Sequence, residues 1–375
     1  MSRYLIGALL CFCSIVSAQV LADAHQSSAA APNSIPSQPL PIKVVVVAMF
    51  ERGEITGDGP GEFQYWVEGL PLDQQFDFPL GPFPLRYRED GVLGICIGGG
   101  IANAAASIMA LGLDPRFDLS SSYWLVAGIA GGDPEDSTLG SAVWAKHIVD
   151  GDLLYEIDGR EIPAEWPYGM IPLGGEHPAE SPEDLDTGWT LNNIHIPLNP
   201  NLAQWAYEQT QAIKIPDSEA LQSARETYTG YHAALAPPQV IIGDTLSAST
   251  YWHGGLLNQW ANDWVALYAG EGANFVTSNM EDSGTLTSIR RLDGIGKADV
   301  ERVMVLRTVS NFTMPPPGKP AAWSATADYP GNGLPALESA YQVGKPIVET
   351  LVADWARYRE TIPQPKISGA SGQRR

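Results

Sequence analysis

The feature that most constrains the fold is a succession of short β-branched or apolar runs, each of which ends in a polar or glycine-rich loop. The first run, residues 43–50, contains four consecutive valines and has the length of a buried parallel strand. A small-residue helix is predicted at 102–111. Strands that alternate with helical segments predict an α/β domain, with helices on both faces of a mixed or parallel sheet. The other runs of this kind are 93–97, 124–129, 142–149, 240–242 and 302–309.

The net charge restricts the partners of the chain. The 375 residues carry 22 Lys and Arg against 43 Asp and Glu, which gives a formal net charge of -21. Because nucleic acids are bound by clustered cations on the protein, we expect no nucleic-acid partner. The same balance disfavours adsorption to an anionic membrane surface.

The N-terminal segment is typical of a secretory signal peptide. Arg3 provides a short basic region, and residues 4–16 form a mostly apolar run. We interpret residues 1–24 as a cleaved signal peptide and residues 25–41, rich in Ser, Ala, Pro and Gln, as a disordered linker. The alternative is an uncleaved membrane anchor, although the apolar run is short for a span. We therefore expect a periplasmic or secreted chain whose mature part does not insert into a membrane and retains Cys96 as its one cysteine.

The second half of the chain alternates long loops with helices. Residues 153–235 are rich in proline and contain one predicted helix, 202–213, so we interpret them as a long insertion that covers the site. Residues 313–335 are predicted to be a further loop. Residues 337–359 have the pattern of an amphipathic helix.

Three polar segments at the edges of apolar runs have the composition of a ligand pocket. They are residues 243–252, 278–282 and 307–311. In the second segment, Met280 offers an apolar wall and Glu281 a strong hydrogen-bond acceptor, as a ribose requires. In the first, the aromatic pair at 251–252 offers a stacking plane for a base. In open α/β sheets ligands collect at the carboxyl ends of the strands, so these segments together predict a nucleoside site.

These segments resemble the purine nucleoside permease family and, through it, the nucleoside phosphorylase and nucleosidase superfamily, over about residues 41–360. The resemblance implies a single-domain α/β three-layer sandwich with a mixed central sheet, spanning 42–362 and followed by a disordered tail at 363–375. The segments that carry it are 44–51, 98–103, 127–132, 139–143, 243–252 and 279–281.

The resemblance also implies roles for individual residues. Glu281 would accept hydrogen bonds from the ribose hydroxyls, and Met280 would pack against the sugar ring. Tyr251 would lie against the base, whose N7 edge would face Asn311. The remaining residues implied for ligand binding are Asn279, Ala130, Gly131 and Ser310.

Departures from the superfamily pattern bear on catalysis. Phosphorolytic members have an Arg and a Ser where this chain has Val126 and Ile129, and a buried dianion without a cationic partner is costly, so we expect no phosphorolysis. Many members have an acidic proton donor at the position of Asn311. Hydrolytic members activate water with a glutamate in the first loop. Here Arg52 occupies the corresponding position, and the candidates beside it are Glu51 and Glu54, neither of which aligns with the family glutamate.

Two functions follow from this reading. The first is an exported purine-nucleoside-binding protein that serves nucleoside uptake. Its expected protein partner is either a further copy of itself, in a homo-oligomer, or a separate membrane transporter. The alternative is a nucleoside hydrolase that cleaves the N-glycosidic bond without phosphate, with Asn311 and Glu51 as its catalytic residues. We expect no cofactor and no metal, since the six histidines show no metal-ligand spacing.

Overall fold

The valine-rich runs of the sequence form the central strands of a mixed β-sheet in the computed structural model, which describes residues 38–185 and 194–366. The strands of these residues are β1 (Leu40–Pro41), β2 (Val44–Ala48), β3 (Gln74–Phe76), β4 (Leu85–Arg88), β5 (Val92–Cys96), β6 (Phe117–Asp118), β7 (Tyr123–Gly132), β8 (Ala142–Asp150), β9 (Leu154–Glu156), β10 (Met170–Pro172), β11 (His195–Pro197), β12 (Val240–Ser247), β13 (Phe275–Asn279) and β14 (Val303–Phe312).

The helices of the same residues vary from one turn to twenty residues. They are α1 (Glu62–Gly69), α2 (Ile101–Gly112), α3 (Pro200–Thr210), α4 (Glu219–Arg225), α5 (His232–Leu235), α6 (Gly255–Ala269), α7 (Asp282–Asp293), α8 (Ala321–Ala325), α9 (Leu334–Ala353) and α10 (Trp355–Tyr358).

The main sheet contains ten strands and closes on itself at one end. Its order is β11-β8-β12-β13-β7-β2-β5-β4-β3, and β14 pairs with both β7 and β8. Because β14 bridges these two strands, β7, β14, β8, β12 and β13 form a closed ring of pairings. The β13–β7 and β14–β8 pairings are antiparallel, whereas the β14–β7 and β12–β8 pairings are parallel. The closed ring brings the ends of β7, β13 and β14 to one place.

Helices cover both faces of the sheet and create two apolar cores. In β2, Val45 and Val47 contact the core beneath α2 and α7, whereas Val44 and Val46 contact the core beneath α1, α3 and α9. Successive side chains of a strand point to opposite faces, so a run of valines can be buried on both. The predicted single-domain α/β sandwich with a mixed sheet is confirmed.

Several predicted segments differ from the structure. The linker prediction is wrong at its end, because Leu40–Pro41 pairs with Phe117–Asp118 in parallel. Within the predicted insertion, β11 extends the main sheet along β8 and α3 packs into the core beneath α9, so these two elements belong to the central body. The predicted helix 337–359 is divided, since α9 ends at Ala353 and α10 begins at Trp355. The predicted signal peptide lies outside the described residues.

Across residues 38–185 and 194–366, no helix combines the length and the apolar character that crossing a bilayer requires.

Trp66 of α1 provides a test of the core beneath α9. Its side chain is 1% exposed and meets Tyr341 edge-on, with ring centroids 5.5 Å apart. We predict that Trp66→Ala lowers the free energy of unfolding by about 3–5 kcal/mol, because it leaves a large cavity. Urea unfolding followed by fluorescence or circular dichroism measures this loss.

The matched control is Trp323→Ala, since Trp323 is 46% exposed. We expect this variant to lose less than about 1 kcal/mol. Equal losses in the two variants would contradict the assignment of Trp66 to the core.

Candidate functional site

A cavity of about 150 Å³ lies where the ends of β2, β7, β13 and β14 meet. Its walls come from segments far apart in the sequence, as expected for a site at the carboxyl ends of strands. The residues that line it are Met49, Phe50, Glu62, Ile129, Ala130, Gly131, Thr250, Tyr251, Trp252, Ser278, Asn279, Met280, Glu281, Ser310, Asn311, Thr313 and Tyr329.

All the predicted site residues except Glu51 line this cavity. The Glu51 carboxylate is engaged elsewhere: it accepts hydrogen bonds from the backbone N–H groups of Gly61 and Gln64, at the start of α1. A carboxylate in this position satisfies free N–H groups of the first helical turn and interacts favourably with the helix dipole. The catalytic role of Glu51 therefore has no support from its position.

Buried charges organise the wall around Glu281. The guanidinium of Arg307, 1% exposed, forms a two-point ion pair with Asp282, in which Nε lies 3.1 Å from Oδ2. The same guanidinium lies 3.4 Å from Glu281 Oε2 and donates to the carbonyl of Ile129 at 3.1 Å. A buried charge is tolerated when it is paired and hydrogen-bonded in this way.

Glu281 itself stands between this ion pair and the cavity. Burial raises the pKa of its carboxyl, and Arg307 opposes that rise. The carboxylate also accepts a hydrogen bond from Gly100 N at 3.3 Å, at the start of α2. It accepts a further hydrogen bond from Met280 N at 3.2 Å. The residue lines the cavity, where the sequence predicted a ribose contact.

Glu62 is a second buried carboxylate in the cavity wall, and the sequence analysis did not identify it. Its oxygens accept hydrogen bonds from the backbone N–H groups of Met49 and Ile129, both at 2.7 Å. Burial raises its pKa from 4.5 to about 7; Arg307 opposes the rise and Glu281 adds to it. A carboxyl with this pKa can both accept and release a proton near neutral pH.

Gly128 makes room for Glu62. A Cβ atom at position 128 would lie 2.5 Å from Glu62 Oε1 and 2.5 Å from the sulfur of Met49. Any side chain there would displace the carboxylate from the cavity wall. The absence of a side chain is therefore required by the packing, whereas the backbone conformation alone does not require glycine.

The opposite end of the cavity is neutral and polar. Asn311 donates from Nδ2 to the Tyr251 hydroxyl at 3.0 Å and to the carbonyl of Phe312 at 3.1 Å. Ser310 donates to Asn311 Oδ1 at 3.0 Å or to the carbonyl of Ala130 at 3.2 Å. These contacts hold the amide with one donor on the Phe312 carbonyl and the other on the Tyr251 hydroxyl, so the Tyr251 contact can be exchanged for a ligand acceptor.

The residues at the expected phosphate positions offer no positive charge. Val126 is fully buried in β7, and Ile129 lines the cavity with its backbone engaged by Glu62 and Arg307. Among the described residues that line the cavity, none is lysine or arginine. The nearby guanidinium of Arg307 is already paired with Asp282, so the cavity favours neutral ligands with hydroxyl groups over phosphate.

Neither Arg307 nor Glu62 was predicted as a site residue, but Arg307 was recognisable from the sequence. Arg307 interrupts the apolar run 302–309, and a charge within a buried strand indicates an ion pair, because such residues are almost never buried without a partner. Glu62 gave no such signal. It follows a glycine-rich loop at the first position of α1, where acidic residues commonly stabilise the helix dipole.

Two histidines meet outside the cavity. His147 Nδ1 lies 3.0 Å from His195 Nε2, across the β8–β11 pairing. Within the described ranges, no group of three or more His, Cys, Asp or Glu has the arrangement of a metal site.

Comparison with known sequences identifies relatives over most of the chain. The profile of the purine nucleoside permease family matches residues 41–363. A purine nucleoside permease of Candida albicans is 32% identical over 272 residues, which cover 71% of this chain and 65% of that protein. A probable purine nucleoside permease of Schizosaccharomyces pombe is 30% identical over 267 residues, covering 69% of this chain and 75% of that protein. The chain thus matches just under two thirds of the length of the Candida relative.

Comparison with solved structures shows the fold. The 5′-methylthioadenosine/S-adenosyl homocysteine nucleosidase of Helicobacter pylori superposes with a TM-score of 0.50 and 14% sequence identity. The match covers 84% of this chain and 100% of the nucleosidase chain. At this identity the likeness concerns the arrangement of strands and helices alone.

The raised pKa of Glu62 predicts a pH dependence of stability. Between pH 4.5, its ordinary pKa, and about pH 7, the folded chain holds a proton that the unfolded chain has released. Unfolding then releases that proton, so the contribution of Glu62 to stability falls as the pH rises through this window and does not change outside it. At 1.36 kcal/mol per pKa unit, the loss due to Glu62 is on the order of 3 kcal/mol.

Urea unfolding of the unmodified chain and of Glu62→Gln at pH 4.5, 6 and 7.5 measures this contribution. Gln offers one acceptor to the two N–H groups of Met49 and Ile129, so the variant is expected to be less stable at low pH. Its stability should nevertheless fall less than that of the unmodified chain between pH 4.5 and 7.5. Parallel pH profiles of the two proteins would contradict the raised pKa.

Proposed function

This chain belongs to the purine nucleoside permease family, and we propose that it binds purine nucleosides in the cavity and serves their uptake. The observation that carries the proposal is the convergence of the residues predicted for the base and the ribose on one cavity. Those residues come from β7, β13, β14 and the segment after β12. Relatives named as purine nucleoside permeases support a role in uptake. The matched region spans 65% of the Candida relative, so the activity of a whole permease is part of the proposal.

The proposed binding mode uses both ends of the cavity. Glu281 accepts hydrogen bonds from the ribose hydroxyls, as a charged acceptor that lines the cavity. Met280 packs against the sugar ring. At the other end Asn311 donates to N7 of the purine in place of the Tyr251 hydroxyl, and Tyr251 lies against the base.

The proposed role in uptake depends on export of the chain. The signal-peptide pattern at 1–24 supports a periplasmic or secreted location. A nucleoside-binding protein in that compartment would capture the ligand and pass it to a membrane transporter. It could do so as a single chain or as a homo-oligomer.

Replacement of Glu281 tests the binding mode. We predict that Glu281→Ala weakens inosine or adenosine binding by roughly 1.5–3 kcal/mol, the range for hydrogen bonds to charged groups. Isothermal titration calorimetry measures the affinity. Because Glu281 also contacts Arg307, urea unfolding should show that the variant is folded at the titration temperature.

The matched control is Glu271→Ala, which removes an exposed carboxylate from the loop after α6. It should bind like the unmodified chain. An unchanged affinity in Glu281→Ala would remove Glu281 from the site.

The second candidate function, a nucleoside hydrolase, is favoured by Glu62. This residue places a carboxyl with a pKa of about 7 in the cavity wall, and the charge of Glu281 contributes to that raised pKa. Hydrolytic activity needs such a group to take a proton from water. Glu62 therefore replaces Glu51 as the candidate base.

The reaction would consume one water and form one ribose and one purine. The water oxygen bonds to C1′ as the C1′–N9 bond breaks, and a water proton passes to the Glu62 carboxylate. The electron pair of the broken bond stays with the purine. Asn311 donates a hydrogen bond to N7 and stabilises this developing charge, but its amide has no proton to transfer, so solvent protonates the leaving base.

Incubation of the purified chain with inosine or adenosine in phosphate-free buffer separates the two functions. If hydrolysis occurs, Glu62→Gln should slow the release of free base by roughly 10²–10⁴-fold, the contribution typical of general acid–base catalysis. Asn311→Asp should accelerate it by supplying a proton donor. Chromatography of base and nucleoside measures both rates.

Binding of intact nucleoside without release of base would exclude the hydrolase and leave the binding protein. Release that is unaffected by Glu62→Gln would exclude Glu62 as the base. The control is Glu271→Gln, which changes a carboxylate remote from the cavity and should leave the rate unchanged.

A further inference from the structure

A second cavity, of about 270 Å³, adjoins the first. Three residues, Tyr251, Asn311 and Tyr329, line both cavities. The hydrogen bond from Asn311 to the Tyr251 hydroxyl, 3.0 Å long, therefore lies at the boundary between them. A ligand group that displaced Tyr251 from Asn311 would open one cavity to the other.

Apolar and aromatic groups dominate the walls of the second cavity. Leu139 and Phe312 are buried, and the ring of Phe312 lies 4.1 Å from that of Tyr228 between centroids. Trp323 also lines this cavity and is 46% exposed. The remaining lining residues are Ala224, Thr227, Ser324, Ala325, Ala327, Asp328 and Pro330. Such a wall suits a flat apolar group and holds it by burial and ring contacts.

The first cavity is small for the ligand proposed to bind in it. Sites for small molecules typically enclose about 300–1,000 Å³, whereas this cavity encloses about 150 Å³. The two adjoining cavities together reach the lower part of that range. A ligand that extends past the Tyr251–Asn311 boundary therefore fits the available space better than one confined to the first cavity.

The position of the second cavity beside Asn311 determines which part of the ligand would enter it. In the proposed binding mode Asn311 faces N7 of the purine. The exocyclic amino group on C6 lies on the same edge of the purine as N7. A substituent on that amino group would pass Asn311 and enter the second cavity where Tyr251 and Tyr329 meet, and its entry would break the hydrogen bond between these two tyrosines.

Tyr251 can make way for such a substituent. Tyr251 is 46% exposed, so nearly half of its surface already meets solvent, and rotation away from Asn311 gives up its hydrogen bonds to Asn311 and Tyr329. The Asn311 amide would keep its second donor bond, to the carbonyl of Phe312, and stay oriented. The N7 atom would then take the acceptor position that the Tyr251 hydroxyl leaves.

We propose that the second cavity is a specificity subsite for an apolar or aromatic substituent on the six-amino group of a purine nucleoside. This inference rests on the proposed binding of purine nucleosides in the first cavity. It names N6-substituted adenosines as the preferred ligand class. Tyr228, Phe312 and Trp323 would provide the ring contacts.

Titration calorimetry with adenosine and N6-benzyladenosine tests the subsite. The full chain should bind N6-benzyladenosine about tenfold more tightly or better, the gain expected for burying an added aromatic ring. Thr227→Trp, which fills the second cavity from an exposed position, should reduce the ratio of the two affinities to one or less. The matched control Thr361→Trp adds the same side chain at an exposed position outside both cavities and should keep the ratio.

The outcomes separate this inference from the function on which it rests. If adenosine binds and N6-benzyladenosine binds no more tightly, or if the preference survives Thr227→Trp, the subsite is overturned and nucleoside binding stands. If neither nucleoside binds, the proposed function fails and the subsite fails with it. If either ligand is cleaved, the ratio of kcat/KM values replaces the ratio of affinities, and the same criteria apply.

Discussion

The buried ion pair between Arg307 and Asp282 is the interaction on which the candidate site depends. Arg307 lies within β14, whereas Asp282 begins α7, directly after β13. The guanidinium also donates to Asn279 and to the carbonyl of Ile129. It therefore joins the ends of three strands that are remote in sequence. Because an unpaired charge in this position would be very costly, the positions of these strand ends are fixed together, and the shape of the cavity follows from them.

The closed ring of strands explains why this junction can exist. In an open sheet two strands are joined along a single path of neighbours, whereas here β7 and β8 are joined both through β14 and through β13 and β12. Here β14 pairs in parallel with β7 and antiparallel with β8, so polar residues at the ends of different strands converge. Glu281 and Glu62 approach the cavity from the starts of two helices, α7 and α1, and both interact with the charge of Arg307. The guanidinium of Arg307 thus partly balances the charge of these two carboxylates, and the acidic site disfavours phosphate.

Much of the fold could be predicted from the sequence, because strands buried on both faces leave long apolar runs. The valines of β2 and the runs that became β5, β7, β8 and β14 are of this kind. β13 was not predicted, since Phe275–Asn279 is short and half polar and is recognisable as a strand through its partners β12 and β7.

The site was predictable to the extent that local segments resemble known ones. Met280, Glu281 and Asn311 lie in such segments, and the structure brings them to one cavity. Glu62 does not, because its place in the wall depends on the packing of α1 against β2 and β7, which no local pattern encodes. Glu51 shows the opposite error: it was a candidate because it lies in the first loop, beside the position that Arg52 occupies, yet its carboxylate caps a helix.

The close approach of Gly128 to Glu62 ties two positions together in evolution. A methyl group at 128 would meet the carboxylate at 2.5 Å, so no other residue can replace this glycine while Glu62 keeps its place. Loss of the carboxylate would release that restriction. Among descendants of a common ancestor, the two positions should therefore vary jointly: lineages that retain the acid retain the glycine, and alanine or serine at 128 marks lineages in which this part of the wall has been abandoned.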